Sequence, residues 1–246
     1  DNNAWHSLAT EYGEHGDGVA RDMAAEGGNG GDIGVCPNCA LLPVRVGDAF
    51  IIDGTRVAEA IAYATEMDAV SISLAVGGMS RPTLAAEAVA HAFDSGLTVV
   101  SVGGDENSYH HNQPAMLPTV VYVKSVRHAS TSDDVAVNTY MSHQNCNNFG
   151  ARMVLSASSR ACATGASGKT AGAVGLVHSA ARDAGLELHA GEVYQLLVGT
   201  ADDIWLSEAE QEEARSYPSS EGWDPYYGYG RLSVARAVEA VAAGDI

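Results

Sequence analysis

Apolar and polar positions along the 246-residue chain fall into two alternating patterns. Short runs that are apolar on both faces predict buried strands: residues 40–46 (ALLPVRV), 69–75 (AVSISLA), 97–102 (LTVVSV), 119–126 (TVVYVKSV) and 152–157. Longer stretches between them carry apolar residues at helical spacing. Residues 15–26 place Val19, Ala20, Met23 and Ala24 on one face. Asp53 caps a predicted helix to about Met67 with Val57, Ile61 and Ala64 inward, and Pro82 opens another that Gly96 ends. Further helices are predicted over 165–184, 191–200 and 232–243, the first too rich in Ala and Gly to show a polar face. Strands alternating with helices of this length predict βαβ units with right-handed crossovers, hence an α/β fold with a mainly parallel sheet. Residues 1–14 are polar and aperiodic, a loop or cut end. Residues 205–229, acidic and then aromatic (Trp223, Tyr226, Tyr227, Tyr229), read as a surface excursion. Without repeats or a low-complexity linker, a single domain over 1–246 is the simplest organisation.

Composition narrows the function classes. Apolar residues make up 46 %, enough for a full core. The formal charge is −18, from 31 acidic and 13 basic residues, so duplex nucleic acid and anionic membranes are repelled. Such a surface suits high salt; a GC-rich genome with ordinary acidity gives the same composition. No stretch reaches the roughly 18 apolar residues of a membrane span. Cys36 pairs naturally with Cys39 and Cys146 with Cys162, and two disulfides imply an oxidising compartment, secreted or extracellular. The motif Cys36-Pro37-Asn38-Cys39 also has the spacing of a redox dithiol or half a zinc site. It precedes an apolar strand rather than opening a helix, and no second ligand pair exists, which favours a structural disulfide. A secreted chain without a leader has been trimmed, so Asp1 is not expected to be the encoded start.

Seven segments, in order from residue 14 to residue 232, resemble the subtilisin-like serine peptidases. Glu14-His15-Gly16-Asp17-Gly18-Val19-Ala20 resembles the catalytic-histidine motif HGTHVAG, with Asp17 and Gly18 replacing Thr and His. Asn29 to Pro37 resembles the turn GxxGVAP, leading into Leu41-Leu42-Pro43-Val44-Arg45-Val46, similar to L-x-P-V-R-V. Ser73 to Gly78 occupies the position of N-M-S-L-G-G, and Ser101 to Ser108 that of A-A-G-N-E-x-S. Asn112 to Val120 resembles N-Y-P-A…P-x-V, Ala171 to Val174 the V-A-G-A of the nucleophile helix, and Gly228 to Leu232 the closing G-Y-G-R-V. The variants GVCPNC (34–39) and HHNxPA (110–115) are similar to those of a bacterial branch. The resemblance implies a three-layer subtilisin-like fold, with helices on both faces of the sheet, and proteolysis by an Asp-His-Ser triad.

Residue by residue, the resemblance puts the catalytic base at His15, and the oxyanion-hole donor at Asp105. It puts the substrate-binding edges at Ala75, Val76 and Gly77 and at Gly103 and Gly104. The nucleophile falls on Thr164, eight residues before Gly172, with Ser167 a hydroxyl one turn further on. Three departures bear on activity. Thr carries a methyl that restricts χ1, and a helix N-cap is the competing role for Thr164. The orienting Asp, expected on a strand tens of residues before His15, is not among the preceding fourteen, so it is cleaved off, on another chain or otherwise separate; such a loss costs about 10⁴ in rate. An ionised Asp105 opposes an oxyanion, a cost of about 10²–10³, although some family members carry Asp there. No cofactor is required; calcium, which the family often binds, would draw on Asp32, Asp48 and Asp53.

Two function classes therefore stand side by side: a secreted subtilisin-like endopeptidase acting on peptide or protein substrate and completed by its own N-terminal segment, or a non-catalytic relative that binds a partner or builds an extracellular assembly. A nucleotide-binding reading of residues 165–170 (GASGKT) lacks the first P-loop glycine, since position 163 is Ala.

Overall fold

The computed structural model describes residues 15–28, 30–47, 53–109, 112–128, 139–140, 146–159 and 161–246. Four parallel strands form its sheet in the order β1 (Ser71–Leu74), β2 (Thr98–Val102), β3 (Val121–His128), β5 (Leu155–Ser158). The two-residue β4 (Thr139–Tyr140) pairs antiparallel with the end of β3, at Arg127 and His128. Residues 229–232 run beside β5, Ser156 N–H donating to Gly230 O and Leu232 N–H to Ser156 O. The helices are α1 (His15–Ala24), α2 (Gly54–Glu66), α3 (Thr83–Asp94), α4 (Ala163–Asp183), α5 (Ala190–Gly199), α6 (Glu208–Ala214) and α7 (Val234–Ala243).

Strand alternation sorts side chains into two layers. On one face Ile72, Leu74 and Val99 meet Val57, Ile61 and Ala64 of α2 and Val89 and Ala92 of α3. On the other, Val100, Val102, Val121, Val123 and Leu155 meet Val174 and Val177 of α4, backed by α5 and α7. Helices on both faces of a parallel sheet make the three-layer α/β architecture expected from the pattern. Asp53 caps α2, its carboxylate accepting from Thr55 N–H at 2.9 Å, a contact worth about 1 kcal/mol.

Two expectations are corrected. Residues 40–46 form no strand: they run as irregular chain with Leu41, Leu42 and Val44 exposed, and among the described residues no sheet strand pairs with them. The 205–229 segment is only partly a surface excursion. Tyr227 is buried in a cluster with Val126 of β3, Phe149 and Ile204, the residue just before the segment. Lys124, fully buried, lies over the Tyr227 ring at 5.1 Å. Its burial, partly offset by Asp224, pushes its ammonium well below the ordinary lysine range. Asp224 itself accepts from Tyr226 and Tyr227 N–H at 2.7 and 2.8 Å, which folds the aromatic run back on the sheet.

Candidate active site

The site gathers where α4 begins. Cys162 is the N-cap, without a side-chain capping bond, and Ala163 is the first helical residue. Thr164 is therefore the second helical residue and not the cap, which removes its competing structural role. The first-turn N–H groups of a helix lack internal partners and carry partial positive charge. One is met from outside: the carboxylate of Asp105 accepts from Ala163 N–H at 3.0 Å. A residue after β2 thus does for α4 what the N-cap side chain does elsewhere.

His15 is the first residue of α1, and α1 crosses α4 along a stripe of glycines. A Cβ on Gly168 would lie 2.6 Å from Val19 O, one on Gly172 2.8 Å from Met23 O, and one on Gly175 2.6 Å from Cys39 Sγ. Glycines at positions 165, 168, 172 and 175 fall on one helical face. They let the two backbones approach closely and bring His15 to the start of α4. The Cys36–Cys39 disulfide closes the turn that follows α1 and packs on the same stripe. Burial lowers the His15 pKa below its ordinary value, and the Asp105 charge opposes that shift. Burial raises the Asp105 pKa, with Glu106 adding to the rise and the Ala163 bond and His15 opposing it. His15, Asp105 and Thr164, brought from three separate segments, therefore share one locality.

The other candidates line the same edge. Ala75 and Val76 leave β1 half-buried, and Gly77 is buried against Asn112 and Gln113. Gly78 exchanges two backbone bonds with Gln113, donating at 3.2 Å and accepting at 2.8 Å. Gly103 and Gly104 are buried, and Gly104 sits at φ +105°, a conformation suited to glycine. Gly103 packs against Tyr122, whose hydroxyl is raised above its ordinary range by burial and by Glu106.

Ser167 does not offer a second nucleophile: it is fully buried, its hydroxyl paired with Ser73 Oγ at 2.7 Å. Residues 165–170 are the interior of α4 rather than a phosphate loop, and Lys169 Nζ donates to Ser158 O at 2.8 Å. The second disulfide, Cys146–Cys162, joins the α4 cap to the chain before Asn147 and Asn148. Asn148 was missed by sequence reasoning. It grips the loop carrying Asp105 from about 40 residues away in sequence, and no local motif announces such a contact. Asp32 is exposed and Asp53 is a helix cap, while Asp48, His110, His111 and residues 1–14 lie outside the described residues. Among the described residues no three His, Cys, Asp or Glu side chains gather to hold a metal.

Comparison with known proteins decides the family. The model of the subtilase family (peptidase S8) matches residues 1–230. The chain belongs to the subtilase family. Its curated relatives include the major intracellular serine protease of Bacillus subtilis, 33 % identical over 133 residues covering 51 % of this chain and 42 % of that protein. Thermitase of Thermoactinomyces vulgaris is 31 % identical over 126 residues, 51 % of this chain and 44 % of that one. The matched region thus spans less than half the length of these relatives. Among solved structures, the patellamide maturation protease PatA superimposes with TM-score 0.72 at 19 % identity, over 99 % of this chain and 88 % of that chain. The prenylagaramide maturation protease PagA gives 0.71 at 18 %, over 95 % and 85 %. At such identity these two likenesses speak for the subtilase fold.

Proposed function

We propose that this subtilase domain is a serine-endopeptidase scaffold that hydrolyses peptide bonds, held in a low-activity form by Thr164 and Asp105. The observation that carries it is the convergence on the α4 start. Asp105 bonds Ala163 N–H next to Thr164 and acts electrostatically on His15, the three positions that the family resemblance marked in separate segments of the sequence. In this reading His15 takes the proton of the 164 hydroxyl, and the extended substrate lies along Ala75–Val76–Gly77 and Gly103–Gly104 by strand addition. The orienting carboxylate is supplied by an N-terminal segment that adds as a strand beside β1, on the side away from β2. That role is supported by β1 pairing, among the described residues, with β2 alone. Secretion is part of the proposal, supported by the two disulfides. Calcium would serve only to stiffen loops, and no step is routed through it.

The test uses the full gene product. With Thr164→Ser, a fluorophosphonate probe is expected to label position 164 and casein to be cleaved. His15→Ala added to that variant should cut the rate by roughly 10²–10⁴. No labelling of Thr164→Ser with the upstream segment present overturns the reading. One observation favours a second reading, a binding protein without turnover: the Asp105 carboxylate already takes up a first-turn N–H of α4, next to position 164. It predicts calorimetric binding of extended peptides by the unaltered chain, with no cleavage after either substitution.

A further inference from the structure

Asp105 reaches Ala163 N–H from a loop that has no regular structure of its own, and a loop carboxylate needs something to hold it. The bonds around it converge on one side chain. Asn148 is 1 % exposed and uses both ends of its amide. Its Oδ1 accepts from Glu106 N–H at 3.0 Å and Ser108 N–H at 3.2 Å. Its Nδ2 donates to Gly103 O at 2.9 Å and to the Glu106 carboxylate. Its own N–H donates to Gly104 O at 3.0 Å. Both immediate neighbours of Asp105 in the chain, Gly104 and Glu106, are therefore held by Asn148. The other hold on Asp105, Ala163 N–H, belongs to the residue after Cys162, and the Cys146–Cys162 disulfide joins that point to the chain two residues before Asn148. Ser125 ties the same two limbs to β3, its N–H donating to Asn147 Oδ1 at 3.0 Å and its hydroxyl to Cys162 O.

We propose that Asn148 is the positioning residue that holds Asp105 over the start of α4 and beside His15. It touches neither the proposed nucleophile nor the base, and acts through Asp105. The geometry makes a specific demand. A four-bonded amide cannot be replaced by a carboxylate or an alkyl group without freeing the loop on one side, because only an amide both donates and accepts there. Losing it leaves buried N–H and C=O groups unpaired, so the loop must move to satisfy them.

The proposal rests on the site proposed above, but its readout is the titration of His15, which is visible whether or not the chain cleaves peptides. Failure of the turnover test therefore leaves it standing, and its own failure leaves the turnover reading intact. His15 is followed by NMR of its ring resonances in the full chain and in Asp105→Asn, Asn148→Ala and the double variant. Asp105→Asn removes the charge that favours the imidazolium and is expected to lower the His15 pKa by on the order of half a pH unit. Asn148→Ala is expected to reproduce most of that downward shift and to add little to it in the double variant. Asn148→Ser, which adds no charge and keeps a short hydroxyl able to donate or accept, should fall between and keeps the test open if Asn148→Ala does not fold. The proposal is overturned if Asn148→Ala or Asn148→Ser leaves the titration unchanged while Asp105→Asn shifts it. It is equally overturned if the Asn148 effect persists at full size with Asp105 neutralised, or if Asp105→Asn itself moves nothing.

Discussion

His178 and His15 are both ring nitrogens withdrawn from water, and they differ in what faces them. His15 has the Asp105 charge nearby, which partly compensates its burial. His178 on α4 has burial alone, and its Nε2 is buried without a hydrogen-bond partner. Its folded pKa lies below the ordinary 6.5, so between the two values the unfolded chain binds more protons. Stability linked to His178 is thus fully present above 6.5 and is lost as pH falls through that window. Asp22, Asp105 and Asp224 have raised values and act with the opposite sign at lower pH, so the histidine is isolated by difference. In thermal melts between about pH 7.5 and about pH 5.5, His178→Gln is expected to lose less Tm on acidification than the unaltered chain. Equal slopes would remove the assignment.

Between elements, the crossing of α1 over α4 is what places His15, and it depends on glycines that helix propensity argues against. Gly168→Ala gains roughly 1 kcal/mol of intrinsic propensity, yet its Cβ would sit 2.6 Å from the Val19 carbonyl oxygen. Backbone cannot move aside as a flexible side chain does, so overpacking of about 1–3 kcal/mol should prevail. Gly18→Ala, on the open side of α1 with nothing within 4 Å, is the matched control and should stabilise. Denaturant melts that show both variants stabilised would mean that the helices do not need this close approach. The stripe was visible in sequence only as an Ala/Gly-rich helix, because spacing shows that one face is small but not what lies on it. The parallel strands were legible for the opposite reason: burial on both faces leaves continuous apolar runs. That same signal misled at residues 40–46, where apolar Leu41, Leu42 and Val44 stay exposed. A strand pattern reports suitability for a sheet, and pairing needs a neighbour that the run itself does not contain. His15 and Asp105 could be located because each sits in a short motif, and Thr164 because it lies at a fixed spacing before one, Ala171-Gly172-Ala173. Asn148 could not, since its meaning lies in four bonds to a loop distant in sequence.

At the scale of the whole molecule the dominant feature is charge: 31 acidic against 13 basic residues in a chain of 246. Several of the described basic groups are drawn onto a few acceptors rather than onto the acidic surface at large. Arg231 and Arg236 both turn to Asp202, at 3.4 and 2.7 Å, while Lys124 is buried and Lys169 is spent on Ser158 O. Acidic groups also crowd together, as in α6, whose sequence EAEQEEA carries four acids. Their repulsion acts over a Debye length of roughly 30 Å at 0.01 M salt and roughly 3 Å at 1 M. The folded state confines the charges and the unfolded state spreads them, so screening should favour folding. Tm is expected to climb steadily as sodium chloride is raised from about 0.05 M to about 1 M, with most of the gain in the lower part of the range where the Debye length changes fastest. Chloride is the appropriate salt, because sulfate would strengthen apolar burial on its own account. A sucrose series of matched osmolality, which leaves charge unscreened, should not reproduce the early rise. A Tm that is flat or falls with sodium chloride would show that the excess charge is already neutralised within the fold, and the high-salt interpretation of the acidic surface would then fail.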